Sequence, residues 1–75
     1  SAKYDEAISG ANAILEKEGE QAKPRLYKLL AYSYDAKGDS TKAFELLNTY
    51  FAREVDSNLV AKDFDLQAKL YKKMD

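Results

Sequence analysis

The residues of this chain that could carry out chemistry are mostly its charged side chains. A basic cluster lies near the end of the chain and consists of Lys62, Lys69, Lys72 and Lys73. Lysine binds phosphate as a compact positive charge, so the cluster is a weak candidate for a phosphate site. The interspersed Asp63 and Asp65 dilute its charge.

Carboxylates form two candidate pairs, Asp5 with Glu6 and Asp63 with Asp65. Carboxylate oxygens suit hard cations, but no loop of the sequence has the spacing of a calcium site. We therefore interpret both pairs as surface charges and predict no metal. The chain contains no Cys and no His, so thiolate sites and the commonest general base and metal ligand are missing. We predict that the protein is not an enzyme and uses no cofactor.

Aromatic residues are numerous, with six Tyr and three Phe that could stack on nucleic-acid bases. Most of them stand at core spacing, and Tyr32 alone is left as an exposed aromatic. The formal net charge of −1 gives no long-range attraction to nucleic acid or to an anionic membrane. No apolar run approaches the roughly 20 residues of a membrane-spanning helix. We predict no nucleic-acid partner and no membrane span; the chain shows no targeting segment and indicates no compartment.

Helix breakers divide the chain into four amphipathic segments. A polar stretch around Gly19 ends the first segment, Gly38 ends the second, and residues 54–58 form a third connector. No segment alternates with a period of two for long enough to predict a strand. We therefore predict one all-α domain over residues 1–75. The first helix should cover about residues 2–17 and the fourth about residues 61–73.

Each predicted helix has an apolar face at three- and four-residue spacing. In chain order these faces are Ala7, Ala11, Ile14 and Leu15; Tyr27, Leu30, Ala31 and Tyr34; Ala43, Phe44, Leu47, Tyr50 and Phe51; and Phe64, Ala68 and Tyr71. Tyr4 and Ile8 flank the first face, and Leu70 lies beside the fourth. Pro24 suits the first turn of the second helix, and Asp39 or Ser40 can cap the third. Gly10 inside the first helix is either a tolerated flaw or a point of close helix approach.

The second and third helices carry a repeat signature. It consists of Tyr27-x-x-Leu30-Ala31-x-x-Tyr34, then Gly38-Asp39, then Ala43-x-x-x-Leu47. This pattern resembles the tetratricopeptide repeat, a pair of antiparallel helices. Small residues such as Ala31 and Ala43 let two helices pack closely, and Gly38 permits the tight turn. One departure is Tyr50, which stands where the family usually has a small residue.

The flanking helices resemble parts of the same repeat. Ala7 precedes Ala43 by 36 residues and Phe64 follows Tyr27 by 37, whereas the family's usual period is about 34. The connectors are therefore longer than usual. The resemblance implies the second helix of a repeat at 1–18, a complete repeat at 24–53 and the first helix of another at 61–75. It also implies a right-handed superhelix of about four helices.

The resemblance further implies a binding surface, because the first helix of each pair lines the concave side of such arrays. The implied peptide-binding residues are Arg25, Lys28, Leu29, Tyr32, Lys62, Leu66, Lys69 and Lys73. This surface is mixed but leans basic, which favours an acidic peptide. Some relatives hold a terminal carboxylate in a clamp of Lys and Asn. Lys28 and Lys62 match its lysines, but Tyr32 and Leu66 stand at its Asn and Arg positions, so we predict no carboxylate clamp. The alternative interpretation of these lysines is a solvated face, and we favour it.

Two functions follow from these observations. The first is a non-catalytic interaction or scaffold module that binds a peptide or protein segment on the concave face. The alternative is a structural spacer or self-association unit, which would form homo-oligomers such as a dimer through the uncovered apolar faces of its half-repeats.

Overall fold

The computed structural model describes residues 2–74, which form four α-helices. They are α1 (Ala2–Glu18), α2 (Arg25–Lys37), α3 (Ser40–Arg53) and α4 (Ala61–Met74). Short 3-10 helices lie in two connectors, at Gly19–Gln21 and Asp56–Asn58. No strand occurs within residues 2–74, which confirms the all-α prediction. Positions 1 and 75 of the predicted domain bounds lie outside the described residues.

None of the helices formed by residues 2–74 combines the length and the apolar character needed to cross a bilayer.

The helix boundaries follow from local backbone chemistry. Gly38 ends α2 in the left-handed region, at φ 90°, where a residue without Cβ is favoured. The N–H of Asp39 then donates to the carbonyl of Tyr34 at 2.9 Å. The Asp39 side chain accepts from the N–H of Lys42 at 3.1 Å and so caps α3. Both predictions at this turn are confirmed, with Asp39 rather than Ser40 as the cap.

Each helix packs against the next along the chain, and the contacts form two apolar clusters. The smaller cluster joins α1 to α2 through Ile8, Ala11 and Leu30. The larger cluster joins α2, α3 and α4, and its buried residues are Ala31, Ala43, Leu47, Tyr50, Leu66 and Leu70. Ala31 and Ala43 are both fully buried, which agrees with their predicted role between α2 and α3.

The predicted apolar stripe of α1 is correct only in part. Ile8 and Ala11 are buried, but Ile14 is 42% exposed, so its prediction as a core residue is wrong. The buried side of α1 is the one that meets Leu30 of α2, and Ile14 lies to one side of it. A Cβ placed on Gly10 would meet no atom of residues 2–74 within 4 Å. Gly10 is therefore a tolerated flaw of α1 and not a point of close helix approach.

The predicted buried face of α4 is wrong. The residues buried on this helix are Asp63, Leu66 and Leu70, whereas Phe64 and Tyr71 are 50% and 55% exposed. At about 100° per residue, the buried face is rotated by roughly 130° about the helix axis from the predicted one. The physical reason is the polar environment of Asp63, because that side chain is held by groups from both α2 and α3.

The aromatic residues of α4 lie at the edge of its contact with α3. The ring centroids of Phe51 and Phe64 are 5.2 Å apart, and those of Phe44 and Tyr71 are 5.1 Å apart. These pairs are within the range of favourable aromatic contacts. Phe64 and Tyr71 therefore touch α3 with one side of each ring and leave the other side open.

Candidate functional site

A buried carboxylate lies where α2, α3 and α4 meet. Asp63 is fully buried in the first turn of α4, and its Oδ2 accepts the N–H of Val60 at 3.1 Å. A side chain at this position satisfies a backbone donor that the start of a helix leaves unpaired. The hydroxyls of Tyr32 and Tyr50 donate to Oδ1 and Oδ2 at 3.1 and 3.2 Å. The Lys28 Nζ completes the set, 2.9 Å from Oδ1.

The charge state of this network follows from its contacts. Burial alone would raise the pKa of Asp63, but the Lys28 ammonium, the Val60 N–H and the Tyr32 hydroxyl together lower that pKa below its ordinary value. The hydrogen bond to Asp63 raises the pKa of Lys28 in return. Burial and the adjacent carboxylate raise the pKa of Tyr32 to about 12. At neutral pH the network therefore holds one ion pair and neutral tyrosine donors.

Lys28 is held on more than one side. Its Nζ lies 5.6 Å from the ring centroid of Tyr50 and 6.0 Å from that of Tyr32, within the range of cation–π attraction. Its side chain is nevertheless 32% exposed. Lys28 thus reaches the surface with a charge that Asp63 already compensates.

Beside this network α2 and α4 form an open groove of about 420 Å³. Its lining residues are Arg25, Lys28, Leu29, Tyr32, Val60 and Lys62. Leu29 and Val60 are 45% and 48% exposed and give the groove an aliphatic wall. Arg25 and Lys62 are exposed cations that form no ion pair within residues 2–74. The groove can therefore receive an apolar side chain beside an anionic group.

The structure brings five of the eight sequence-predicted site residues together in this groove: Arg25, Lys28, Leu29, Tyr32 and Lys62. Leu66 is 6% exposed and belongs to the core, so its expected exposure on the binding surface is wrong. The cause is the orientation of α4 that Asp63 sets. Lys69 and Lys73 are exposed on α4 but do not line the groove.

Lys69 instead forms a second polar link between α2 and α4. Its Nζ lies 2.9 Å from Oδ2 of Asp35. The two ion pairs between these helices have opposite charge orders. In the pair with Asp63 the cation comes from α2, whereas in the pair with Lys69 the carboxylate comes from α2. The other oxygen of Asp35 is buried without a hydrogen-bond partner among residues 2–74.

Sequence reasoning missed three members of the site: Asp63 as a buried group, Tyr50 as its donor and Val60 as part of the groove wall. One signal was present in the sequence. Tyr50 stands where the family usually has a small residue, and a large polar ring there needs a buried acceptor for its hydroxyl. Asp63 is that acceptor, at 3.2 Å.

Within residues 2–74, no group of three or more acidic side chains is arranged to hold a metal ion. Comparison of the chain with protein-family models, with curated proteins and with solved structures gives no match.

Proposed function

We propose that this chain is a helical-repeat module of the tetratricopeptide type, which binds a peptide or protein segment in the groove between α2 and α4 and catalyses no reaction. The repeat signature over α2 and α3 supports the family assignment. So does the burial of Ala31 and Ala43 in one cluster. In this proposal the groove belongs to the concave side of a right-handed superhelix.

The observation that carries the proposal is the groove itself. It has an exposed aliphatic wall, Leu29 and Val60, next to cations that residues 2–74 leave uncompensated. Its floor is preorganised, because Tyr32 and Lys28 are both fixed by the buried Asp63. Preorganised side chains reduce the ordering entropy that a binding surface must lose. Peptide-recognition grooves combine these features.

A paired substitution tests the proposal. Leu29→Asp places a carboxylate in the groove wall, and Val55→Asp makes the same kind of change at an exposed aliphatic residue in the α3–α4 connector. Each immobilised variant is used for affinity capture, and captured proteins are re-tested as purified partners. The proposal expects a partner that wild type and Val55→Asp bind and Leu29→Asp does not. Partners that bind all three proteins equally would contradict it.

A second candidate function is self-association through α4. Phe64, Ala68 and Tyr71 form an exposed face at the spacing of Tyr27, Ala31 and Tyr34, the face of α2 that packs toward α3. A second copy covering this face would bury apolar area and favour a dimer. Size exclusion with light scattering tests this candidate. It predicts a dimer that Phe64→Ser with Tyr71→Ser converts to a monomer, and a wild-type monomer at high concentration would exclude it.

A further inference from the structure

We infer that the segment bound in the α2–α4 groove is acidic and carries an aliphatic or aromatic side chain, and that Asp63 limits the strength of this preference by neutralising Lys28. This inference rests on the proposed function, since it names the ligand class of the same groove.

The positive charge of the groove comes from two residues near the starts of its helices. Arg25 and Lys62 lie in the first turns of α2 and α4, and neither has an acidic partner within residues 2–74. Asp65 lies close enough to Tyr32 to contribute to its raised pKa, but it does not line the groove. Among residues 2–74, Asp63 is the only carboxylate that forms an ion pair with a cation of the lining, and it is buried against Lys28. The groove therefore presents two uncompensated positive charges.

The rest of the lining selects for apolar character. Leu29 and Val60 each leave close to half of their surface exposed beside the two cations. Covering such aliphatic surface favours an apolar side chain of the ligand, by about 25 cal/mol for each Å² buried. A peptide offers carboxylates and apolar side chains on one short segment.

A nucleic acid fits the same lining less well. Single strands are held by aromatic platforms together with a basic track along the backbone. The groove has one aromatic residue, Tyr32, whose hydroxyl is tied to Asp63, and its wall is aliphatic. An acidic peptide is therefore the ligand class that the observations favour.

Asp63 controls how much charge the groove presents. Lys28 lies in the lining and is 32% exposed, but its Nζ is 2.9 Å from the buried carboxylate. Replacing Asp63 with Asn removes the negative charge and keeps one oxygen, which can still accept from the Tyr50 hydroxyl and the Val60 N–H. The amide NH2 then faces the Tyr32 hydroxyl, which can accept from it. Lys28 would then face the ligand as a third uncompensated cation. An exposed charge pair contributes little, so the expected gain in affinity for an acidic peptide is about two- to fivefold.

The first experiment identifies the ligand class. Random peptides displayed on phage are selected on the wild-type chain and on Leu29→Asp. Selected peptides rich in Asp and Glu, with a recurring apolar residue and no binding to Leu29→Asp, support the inference. Groove-dependent peptides without acidic residues would overturn the ligand class and leave the proposed function intact. Selection that yields no peptide dependent on Leu29 would overturn both.

The second experiment tests the role of the charges, using the most enriched peptide with a fluorescent label. We expect Arg25→Gln with Lys62→Gln to weaken binding about tenfold, and added salt to weaken wild-type binding. An unlabelled oligonucleotide that displaces the labelled peptide at a lower concentration than the unlabelled peptide does would indicate nucleic acid and overturn the peptide class. An unchanged affinity in the double variant would overturn the charge argument.

The third experiment isolates Asp63. Asp63→Asn should strengthen binding of the labelled peptide about two- to fivefold. Lys28→Met with Asp63→Asn removes the ion pair as a unit and leaves no cation to release, so this variant should bind no more tightly than wild type. Circular dichroism verifies the fold of each variant. If Asp63→Asn does not fold, the loss of peptide affinity in the ion-pair variant is compared instead with the loss in Lys62→Gln. Equal losses in those two proteins would show that Lys28 acts as a free charge and would contradict the role given to Asp63.

Discussion

The buried Asp63 leads to a sharp prediction about stability, because replacing it with Ala removes the partner of four donors at once. Tyr50 is 2% exposed, so its hydroxyl would be left buried without a partner, at a cost of about 1–3 kcal/mol. The N–H of Val60 would lose its acceptor at the start of α4, which costs about 1 kcal/mol. Tyr32 and Lys28 reach solvent and can turn to water, so we count nothing for them.

These terms give a destabilisation of about 3 kcal/mol for Asp63→Ala. A chain of 75 residues is stable by about 4–11 kcal/mol, so the variant should still fold at low temperature. For a domain of this size, the loss corresponds to a decrease in Tm of roughly 12–24 °C. Urea unfolding followed by circular dichroism at 222 nm measures the free energy, and a thermal melt measures Tm.

The matched control is Asp65→Ala, which removes an exposed carboxylate two residues further along the same helix. Exposed substitutions without such contacts usually change stability by less than about 0.5 kcal/mol. Tyr50→Phe supplies a double-mutant cycle. Asp63→Ala should cost about 2 kcal/mol less in that background, because the hydroxyl that it would leave unpaired is absent. If Asp63→Ala destabilises the chain no more than Asp65→Ala, the assignment of a structural role to the buried network is refuted.

Three further predictions concern other parts of the chain. The pKa of Tyr32 is raised to about 12, so the folded chain keeps the phenol proton above pH 10, where an unfolded chain begins to lose it. The free energy of unfolding should therefore fall as pH rises from about 10 to about 12, and urea titrations at stepped pH should show a smaller fall for Tyr32→Phe. Gly10→Ala should raise the free energy of unfolding by about 1 kcal/mol because the site is an open helix position, whereas Gly38→Ala should lower it by about 1 kcal/mol because φ is 90° there. If calorimetry shows changes of the same sign for the two variants, this contrast is contradicted. Asp35→Asn and Lys69→Met should show a coupling energy of only about 0.5 kcal/mol in a double-mutant cycle, because Lys69 is half exposed. Strictly additive effects would show that the ion pair between Asp35 and Lys69 contributes nothing to stability.

The helices themselves were predictable from the sequence because local signals fix them. Gly38 and Asp39 determine where α2 ends and α3 begins through backbone conformation and capping, which depend on near neighbours only. The burial of Ala31 and Ala43 followed from their spacing within one helical hairpin. Such features need no knowledge of distant contacts.

The orientation of α4 was not predictable in the same way. Its sequence offers two apolar stripes roughly 145° apart at 100° per residue, one through Phe64, Ala68 and Tyr71 and one through Leu66 and Leu70. Hydrophobic periodicity favours neither strongly. The choice depends on Asp63, whose partners Lys28 and Tyr32 lie more than 30 residues earlier in the chain. The wrong prediction that Leu66 is exposed on the binding surface has the same cause.

The α2 half of the groove was predicted because α2 carries part of the repeat signature on which the expected binding surface rested. Arg25, Lys28, Leu29 and Tyr32 all line it as expected. Val60 was missed because it precedes α4 in a connector, where helical periodicity gives no information about the direction of a side chain.

The most direct test of the central claim is a nitrogen-15 NMR titration of the wild-type chain with the selected acidic peptide. If the α2–α4 groove is the binding site, the amide signals that shift saturably should be mainly those of Leu29, Tyr32, Val60 and Lys62. The amide signal of Val55 should keep its chemical shift. Shifts concentrated on Phe64 and Tyr71 would place the binding surface on the open face of α4. That result, or the absence of saturable shifts, would contradict the claim.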